Sequence, residues 1–395
     1  MRFLSADHIF PISTAPIANG VIVVSPNGGI QEVLDPDSAD LPERSRIEHF
    51  EGILCPGMVN AHCHLELSHM KGVVEEKTGL PKFLTEIVSK RGFNAEARQS
   101  SFEAADSEMW QNGIQAVGDI CNTSDTVSTK SASKITYHSF VELFSLDAGK
   151  VKETVITGRQ TALQFKQACL RVTIVPHAPY SVNEELFEAI EALQFEFPGP
   201  RSMHNQETES ENEMFVSGTG KLIETFQRFG ADLSGFVGRN RSSLAYSLHK
   251  FLGTRPLILV HNSCTTMEEM RDADRARNNI FWCTCPSANM YIEDLIPNIP
   301  MWLNTGATVC VGTDSLASNH QLSILNELKL IQSKHPQIGL SELLTMATLN
   351  GAKALGLEDS IGSFKPGKKP GILLLNGSGI KNGSLTADSK VQRII

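Results

Sequence analysis

Pro56-Gly-Met-Val-Asn-Ala-His62-Cys-His64 is the stretch on which the reading of the fold turns. It is a short apolar run that ends on two imidazoles at i and i+2. In an extended chain alternate side chains share a face, so both rings point to one side and can grip one ion together. If this run is one strand of a parallel sheet, other apolar runs in the chain should end on polar residues in the same way.

Working outward, short apolar runs alternate with longer helical stretches, the pattern of βα units and a parallel sheet. The runs are Ile114 to Ile120, Ile135 to Phe144, Leu170 to Val175, Leu257 to Val260, Ile280 to Trp282 and Thr308 to Val311. Helical patterns fall at Phe83 to Arg91, Ser101 to Gln111, Glu184 to Leu193, Glu211 to Phe229, Met267 to Arg277 and Leu322 to Ser333. With the run ending at His62 and a short strand before His204, eight candidate strands predict an α/β chain closed as a (β/α)₈ TIM barrel over residues 56–360. Chemistry in such a barrel sits at the carboxyl ends of the strands.

The two chain ends read differently. Gly20 to Val24, the turn Pro26-Asn-Gly-Gly29 and Ile30 to Leu34 make a small β unit; Ile361-Gly-Ser-Phe-Lys-Pro-Gly followed by Ile372 to Leu375 makes another. Segments 1–55 and 361–395 are therefore expected to pair as one β domain.

Of 395 residues, 41% are hydrophobic and 20% charged, which fits a globular enzyme and excludes a disordered or fibrous chain. A net charge of −9 argues against nucleic acid, whose phosphates reward a surplus of Lys and Arg. No apolar run reaches the ~20 residues of a membrane helix, and the N-terminus has no signal pattern, so the expectation is a cytoplasmic protein with no membrane partner. Eight scattered cysteines do not build a disulfide framework; Cys283 and Cys285 are CxC without a second pair. A homodimer is the assembly expected on frequency.

Two more strand ends carry ligand-type residues. His204 opens HNQETESE, and Asp314 closes Thr308 to Thr313 in VGTDS. Taken alone, each suits a core histidine or a turn acid; with HxH, in this order on separate strands, three imidazoles and a carboxylate suit one divalent ion, Zn²⁺ first and Fe²⁺ as the alternative. His261, which ends Leu257-Ile-Leu-Val, is placed to hydrogen-bond a water on the ion and to help Asp314 take its proton. Glu207, three residues after His204, is placed to carry protons to and from a substrate.

PGMVNAHCHLELS, PHAPYS, HNQET, VHN and VGTDS, in that order, resemble the amidohydrolase superfamily over nearly the whole chain. HNQET with CPSAN and GTDSLASN is similar to its aminohydrolase branch, which includes guanine, cytosine, adenosine-like, S-adenosylhomocysteine/methylthioadenosine and aminodeoxyfutalosine deaminases. The resemblance implies a barrel flanked by a β-sandwich made from both chain ends. It implies one metal on His62, His64, His204 and Asp314, with Glu207 as proton shuttle and His261 orienting the water. Binuclear relatives carry a lysine after strand four; here His177 stands there, which supports one ion. His177 in HAPYS resembles a substrate-contacting histidine. Glu66 in HLELS resembles the aminodeoxyfutalosine deaminases, and either contacts substrate hydroxyls or pairs with an arginine such as Arg91. Gly367-Lys-Lys-Pro-Gly371 departs from the Ala-Asp pair usual in the family, and no acid aligns with the one that holds ribose in many adenosine-type deaminases.

The activity implied is deamination of an aminated purine nucleoside or related heterocycle: hydroxide generated at the ion adds to the C–NH₂ carbon, Glu207 protonates the ring nitrogen, and ammonia leaves. The alternatives on the same site are a guanine- or cytosine-type base deaminase, or a cyclic amidohydrolase or chlorohydrolase. A noncatalytic interaction protein is a third class, disfavoured by the full set of ligand types.

Overall fold

Met58–Cys63, Ile114–Cys121, Thr136–Leu143 and Arg171–Pro176 pair in that order as a four-stranded parallel sheet in the computed structural model, which describes residues 1–92, 95–231, 233 and 240–395. Arg201–Asn205, Leu257–His261, Ile280–Thr284 and Thr308–Val311 make a second sheet of the same kind. Parallel neighbours need a crossover. Helices supply it, among them Arg98–Gln111, Val151–Gln167, Glu184–Leu193 and Met267–Ala276.

Along Leu257–His261 side chains alternate between two cores, as the pleat requires. Leu257 and Leu259 join a large cluster with helix residues such as Phe102, Phe165 and Met270. Ile258 and Val260 join a smaller one with Val59, Ala61, Ala116, Phe140, Val175, Cys283 and Cys310. That smaller cluster draws on both sheets, so they face a common interior.

Two seams link the sheets, and both run through the residues singled out above. At one, Thr313 and Asp314 donate their N–H groups to the His62 carbonyl at 3.0 and 3.1 Å, and Cys63 and Asp314 form a parallel bridge. Asn60 fastens the same seam, its amide nitrogen 2.7 Å from Thr313 Oγ1. At the other, the His204 N–H donates to the His177 carbonyl at 2.9 Å.

The two chain ends share one seven-stranded sheet. Ile47–Pro56 runs parallel to Arg2–Ile9 and antiparallel to Ile372–Asn376, which also pairs with Lys390–Arg393. Leu54, Ile372 and Leu374 turn to a small core with Leu4, Ile22 and Phe364, while Ile53, Cys55, Leu373 and Leu375 turn to the large one. Gly57 carries the chain from this sheet into Met58–Cys63; a Cβ there would lie 2.5 Å from the Pro370 carbonyl, so the approach demands glycine. The unusual turn at 367–371 is a fastening point: the Gly367 N–H donates to the Ile30 carbonyl and the Ile30 N–H to the Lys368 carbonyl.

Two helical expectations need correction. The stretch read as one helix from Glu211 to Phe229 is two, Glu209–Ser217 and Lys221–Arg228, broken where Gly218 and Gly220 take φ of 71° and 105°. Val151–Gln167, 17 residues long, was not anticipated. Its threonines and glutamines blur the apolar stripe, and Gly158 sits mid-helix because a Cβ would meet Leu143 at 2.3 Å. Among the described residues, no helix is long and apolar enough to cross a membrane.

Candidate metal centre and active site

His62, His64, His204, His261 and Asp314 come together at the carboxyl ends of the strands. His62 and His64 turn their Nε2 atoms toward each other at 3.2 Å, and Asp314 Oδ1 lies 3.6 and 3.3 Å from them. Donor atoms of His62, His64 and His204 all lie within 4.8 Å of one another. An ion bonded at about 2.0–2.1 Å in tetrahedral geometry spaces its donors at roughly 3.3–3.4 Å. The 3.2–3.6 Å spacing of the His62, His64 and Asp314 donors, with His204 in the same group, therefore fits a divalent cation.

Protonation and tautomers agree with that fit. Burial lowers the pKa of His64 and, with the neighbouring imidazoles, takes His204 well below its ordinary value. Neutral rings keep a lone pair for a ligand. His204 Nδ1 lies 2.9 Å from the His177 carbonyl, an acceptor only, so Nδ1 carries the proton and Nε2 the lone pair. Burial would raise Asp314, but the hydrogen bond with His62, together with its interactions with His64 and His261, outweighs it and keeps it a carboxylate. Its Oδ2 accepts from Ser318 Oγ at 2.6 Å, which leaves Oδ1 facing His62 and His64.

His261 and Glu207 stand beside this cluster, His261 Nε2 3.6 Å from Glu207 Oε1. Asn289 donates its amide N–H to His261 Nδ1 at 3.3 Å, which assigns the ring proton to Nε2. Burial holds His261 down at about 3, so the ring is neutral. Burial, with the charges of Asp314, Glu211 and Glu293, pushes Glu207 well above the usual carboxyl range. His261 and Asp314 also take positive φ, 75° and 57°, and Gln206 takes 44°. Such conformations cost of order 1–3 kcal/mol each and concentrate where a side chain must be aimed.

Of the remaining expected residues, His177 lines the cavity, its Nδ1 2.6 Å from Ser181 Oγ. Glu66 is buried, bonds Arg91, and accepts from the backbone N–H groups of Asn122 and Thr123 at 2.9 and 3.2 Å. Its carboxylate is saturated, whereas Arg91 reaches the cavity wall. Cys283 and Cys285 are free, buried thiols.

Sequence reasoning missed Glu142, Asn122 and Asp119. Glu142 lines the cavity, takes a hydrogen bond from Asn122 at 3.0 Å, and forms with His177 and His204 a second group of donors within 4.8 Å. Asp119 accepts from the N–H of Leu65, next to His64, at 2.7 Å and pairs with the wholly buried Lys130 at 2.6 Å. Glu142 and Asp119 lie inside apolar strand runs, where an acid has to be held for a reason; that was the available signal.

The cavity is ≈ 260 Å³. His64, His204, Glu207, His261 and Asp314 form one part of its lining; Leu80, Phe83, Leu84, Ile87, Phe226 and Phe229 form another. Arg91 is the one Arg or Lys among the described residues that line it.

An adenosine deaminase from Helicobacter pylori is 26% identical over 319 residues, 80% of this chain and 77% of that one. The crystal structure of Helicobacter pylori aminofutalosine deaminase in complex with methylthio-coformycin superposes over 100% of both chains, with a TM-score of 0.83 at 22% identity. A Xanthomonas campestris adenosine deaminase with bound zinc covers 94% of this chain and 84% of its own, with a TM-score of 0.74 and 22% identity. The amidohydrolase family model matches residues 53–393, from the last residues of the long N-terminal strand to the C-terminal strand and across every site residue named above, and the chain belongs to that family.

Proposed function

We propose that the chain is a metal-dependent aminohydrolase that removes the amino group of a purine nucleoside or closely related heterocycle, with release of ammonia. The observation that carries the reading is the gathering of His62, His64 and His204 donor atoms within 4.8 Å of one another, with Asp314 Oδ1 3.6 and 3.3 Å from His62 and His64, and with a buried Glu207 and a neutral His261 nearby. His62, His64, His204 and Asp314 are the ligands; zinc is the first choice, since two solved structures of similar fold are zinc-bound, and Fe²⁺ suits the same donors. When bound, a divalent ion there supplies Lewis acidity that brings the pKa of water toward neutrality.

The residues divide the remaining work. Asp314 is the base that takes the proton from the attacking water, and His261 Nε2–H orients that water. Glu207, held protonated by burial, donates to the ring nitrogen beside the C–NH₂ carbon; it then takes the proton of the adduct's hydroxyl and passes it to the amine, which leaves as ammonia as the carbonyl forms. His177 contacts the substrate through the ring nitrogen not committed to Ser181, and Arg91, braced by Glu66, does so from the wall.

A nucleoside is favoured over a free base such as guanine or cytosine by the cavity's apolar wall. A bare ring would leave Leu80, Phe83, Leu84, Phe226 and Phe229 uncovered. In this reading the two parallel sheets close as a (β/α)₈ barrel over 56–360, supported by the shared interior cluster, and the sheet from 1–55 and 361–395 curls on its own core as a small β-sandwich. The test is Glu207→Gln assayed for ammonia release over adenosine, methylthioadenosine, S-adenosylhomocysteine, aminodeoxyfutalosine, guanine and cytosine. The variant should bind metal as the wild type does and lose turnover by a factor of about 10² or more; an active variant removes Glu207 from the reaction.

A further inference from the structure

Glu207 is delivered to the site by a turn that no regular element supports. The strand Arg201–Asn205 ends just before it, and the helix Glu209–Ser217 begins just after. In that gap Gln206 takes φ of 44°, a left-handed conformation that a non-glycine residue holds only when its surroundings compel it. The compelling contacts are specific. Gln206 Nε2 donates to Asn212 Oδ1 at 3.1 Å and Glu269 Oε1 at 2.9 Å, and Gln206 Oε1 accepts from Thr265 Oγ1 at 2.6 Å. These fix the side chain at 206, but the peptide N–H groups at 206 and 207 also need partners in a buried place.

Both partners are one carboxylate. Glu211 Oε1 accepts from the Gln206 N–H at 3.0 Å and Glu211 Oε2 from the Glu207 N–H at 3.2 Å, and the side chain is wholly buried. Two consecutive N–H groups gripped by two oxygens of one rigid planar group fix the orientation of the peptide between residues 206 and 207. That peptide sets where Glu207 Cα stands and so where its carboxyl points.

We infer that Glu211 is a positioning residue for the proposed deamination: its bidentate grip on the 206 and 207 amides sets the aim of Glu207, and through it proton transfer. The inference rests on the shuttle assigned to Glu207 above. Glu211 is not itself in the cavity lining, so it acts through Glu207 alone.

Steady-state ammonia release by metal-loaded Glu211→Gln and Glu211→Ala, in wild-type and Glu207→Gln backgrounds, tests this. The amide of glutamine keeps one acceptor and sets an NH₂ group against the other N–H; alanine removes both acceptors. A misplacement of about 1 Å at a reacting group costs on the order of 10²-fold, so kcat should fall about 10-fold in the first variant and about 10²-fold in the second, with KM and bound metal unchanged. In the Glu207→Gln background, adding Glu211→Gln should change residual turnover no further, because no aimed proton donor is left to misplace. A full kcat in Glu211→Gln, an equal loss in both backgrounds, or a loss that tracks metal content overturns the inference. Amide hydrogen exchange on the wild-type holoenzyme reads the grip without any variant: the Gln206 and Glu207 amides should be protected, and rapid exchange overturns it. If the wild type releases ammonia from no heterocycle, the proposed reaction falls, while the exchange measurement still decides the grip.

Discussion

Four of the site residues are aimed by a neighbour rather than by their own preference. His204 is turned by the His177 carbonyl, His261 by Asn289, Asp314 by Ser318, and Arg91 by Glu66. The same logic reaches the backbone behind His64, where Asp119 holds the Leu65 N–H and Lys130 neutralises Asp119. Burial alone would lower the lysine pKa, but the field of Asp119 outweighs it and keeps the ammonium charged. Lys130→Met should therefore leave a buried carboxylate unpaired and cost about 3–5 kcal/mol, read as a fall in the urea midpoint. An unchanged midpoint would show that the pair contributes nothing. Glu66→Gln is a gentler test: its two backbone donors keep an acceptor, but Arg91 loses its counter-charge, so KM should rise several-fold with bound metal unchanged.

At the scale of elements, the seam between the strands Met58–Cys63 and Thr308–Val311 is where fold and chemistry meet. Gly312 lies in it, and a Cβ there would meet His62 Cβ and the His62 carbonyl at 2.8 Å and Cys285 Sγ at 2.9 Å. Neither of the two His62 atoms can retreat without moving that residue. Gly312→Ala should cost about 1–3 kcal/mol of stability as overpacking and weaken metal binding as well, measured by thermal melting and by competition with a chromophoric chelator. A variant with wild-type affinity would mean that the seam does not set the ligand spacing. This seam was legible in part: HxH and Asp314 stood out because each follows an apolar run, and every named run is a strand within about two residues of its expected bounds. Glu142 and Asp119 were not singled out, since a lone acid within an apolar run has no motif to announce it. The helix Val151–Gln167 escaped because its stabilisation comes from packing against the sheet, which periodicity reports only faintly. The break at Gly218 and Gly220 was readable from the two glycines themselves.

The whole molecule keeps several carboxyl groups in its interior, and this shapes its stability against pH. Burial pushes Glu211 and Glu327 up to about 7, from an ordinary value of 4.5. The folded state then holds protons that the unfolded chain has released between those two values. Stability is accordingly greatest below the unfolded pKa and declines as pH rises through the folded one, by on the order of a few kcal/mol per group. Glu327 accepts from Ser287 N–H at 2.8 Å and Asn319 Nδ2 at 2.9 Å, so Glu327→Gln preserves volume and one acceptor. The gap in unfolding free energy between wild type and Glu327→Gln should shift in favour of the variant from pH 5 to pH 8; a constant gap would mean that this carboxyl does not titrate there. Comparing the two proteins at each pH cancels the pH dependence common to both. Bound metal adds its own linkage: chelation should lower the melting temperature, because an ion bound only to the folded chain stabilises it by mass action.

Anomalous diffraction from crystals of the metal-loaded protein, at the absorption edge of the bound metal, tests the account at its root. It predicts one peak per chain, within bonding distance of His62 Nε2, His64 Nε2, His204 Nε2 and Asp314 Oδ1. A peak held instead by Glu142 and His177, or no peak among the four donors, would contradict it.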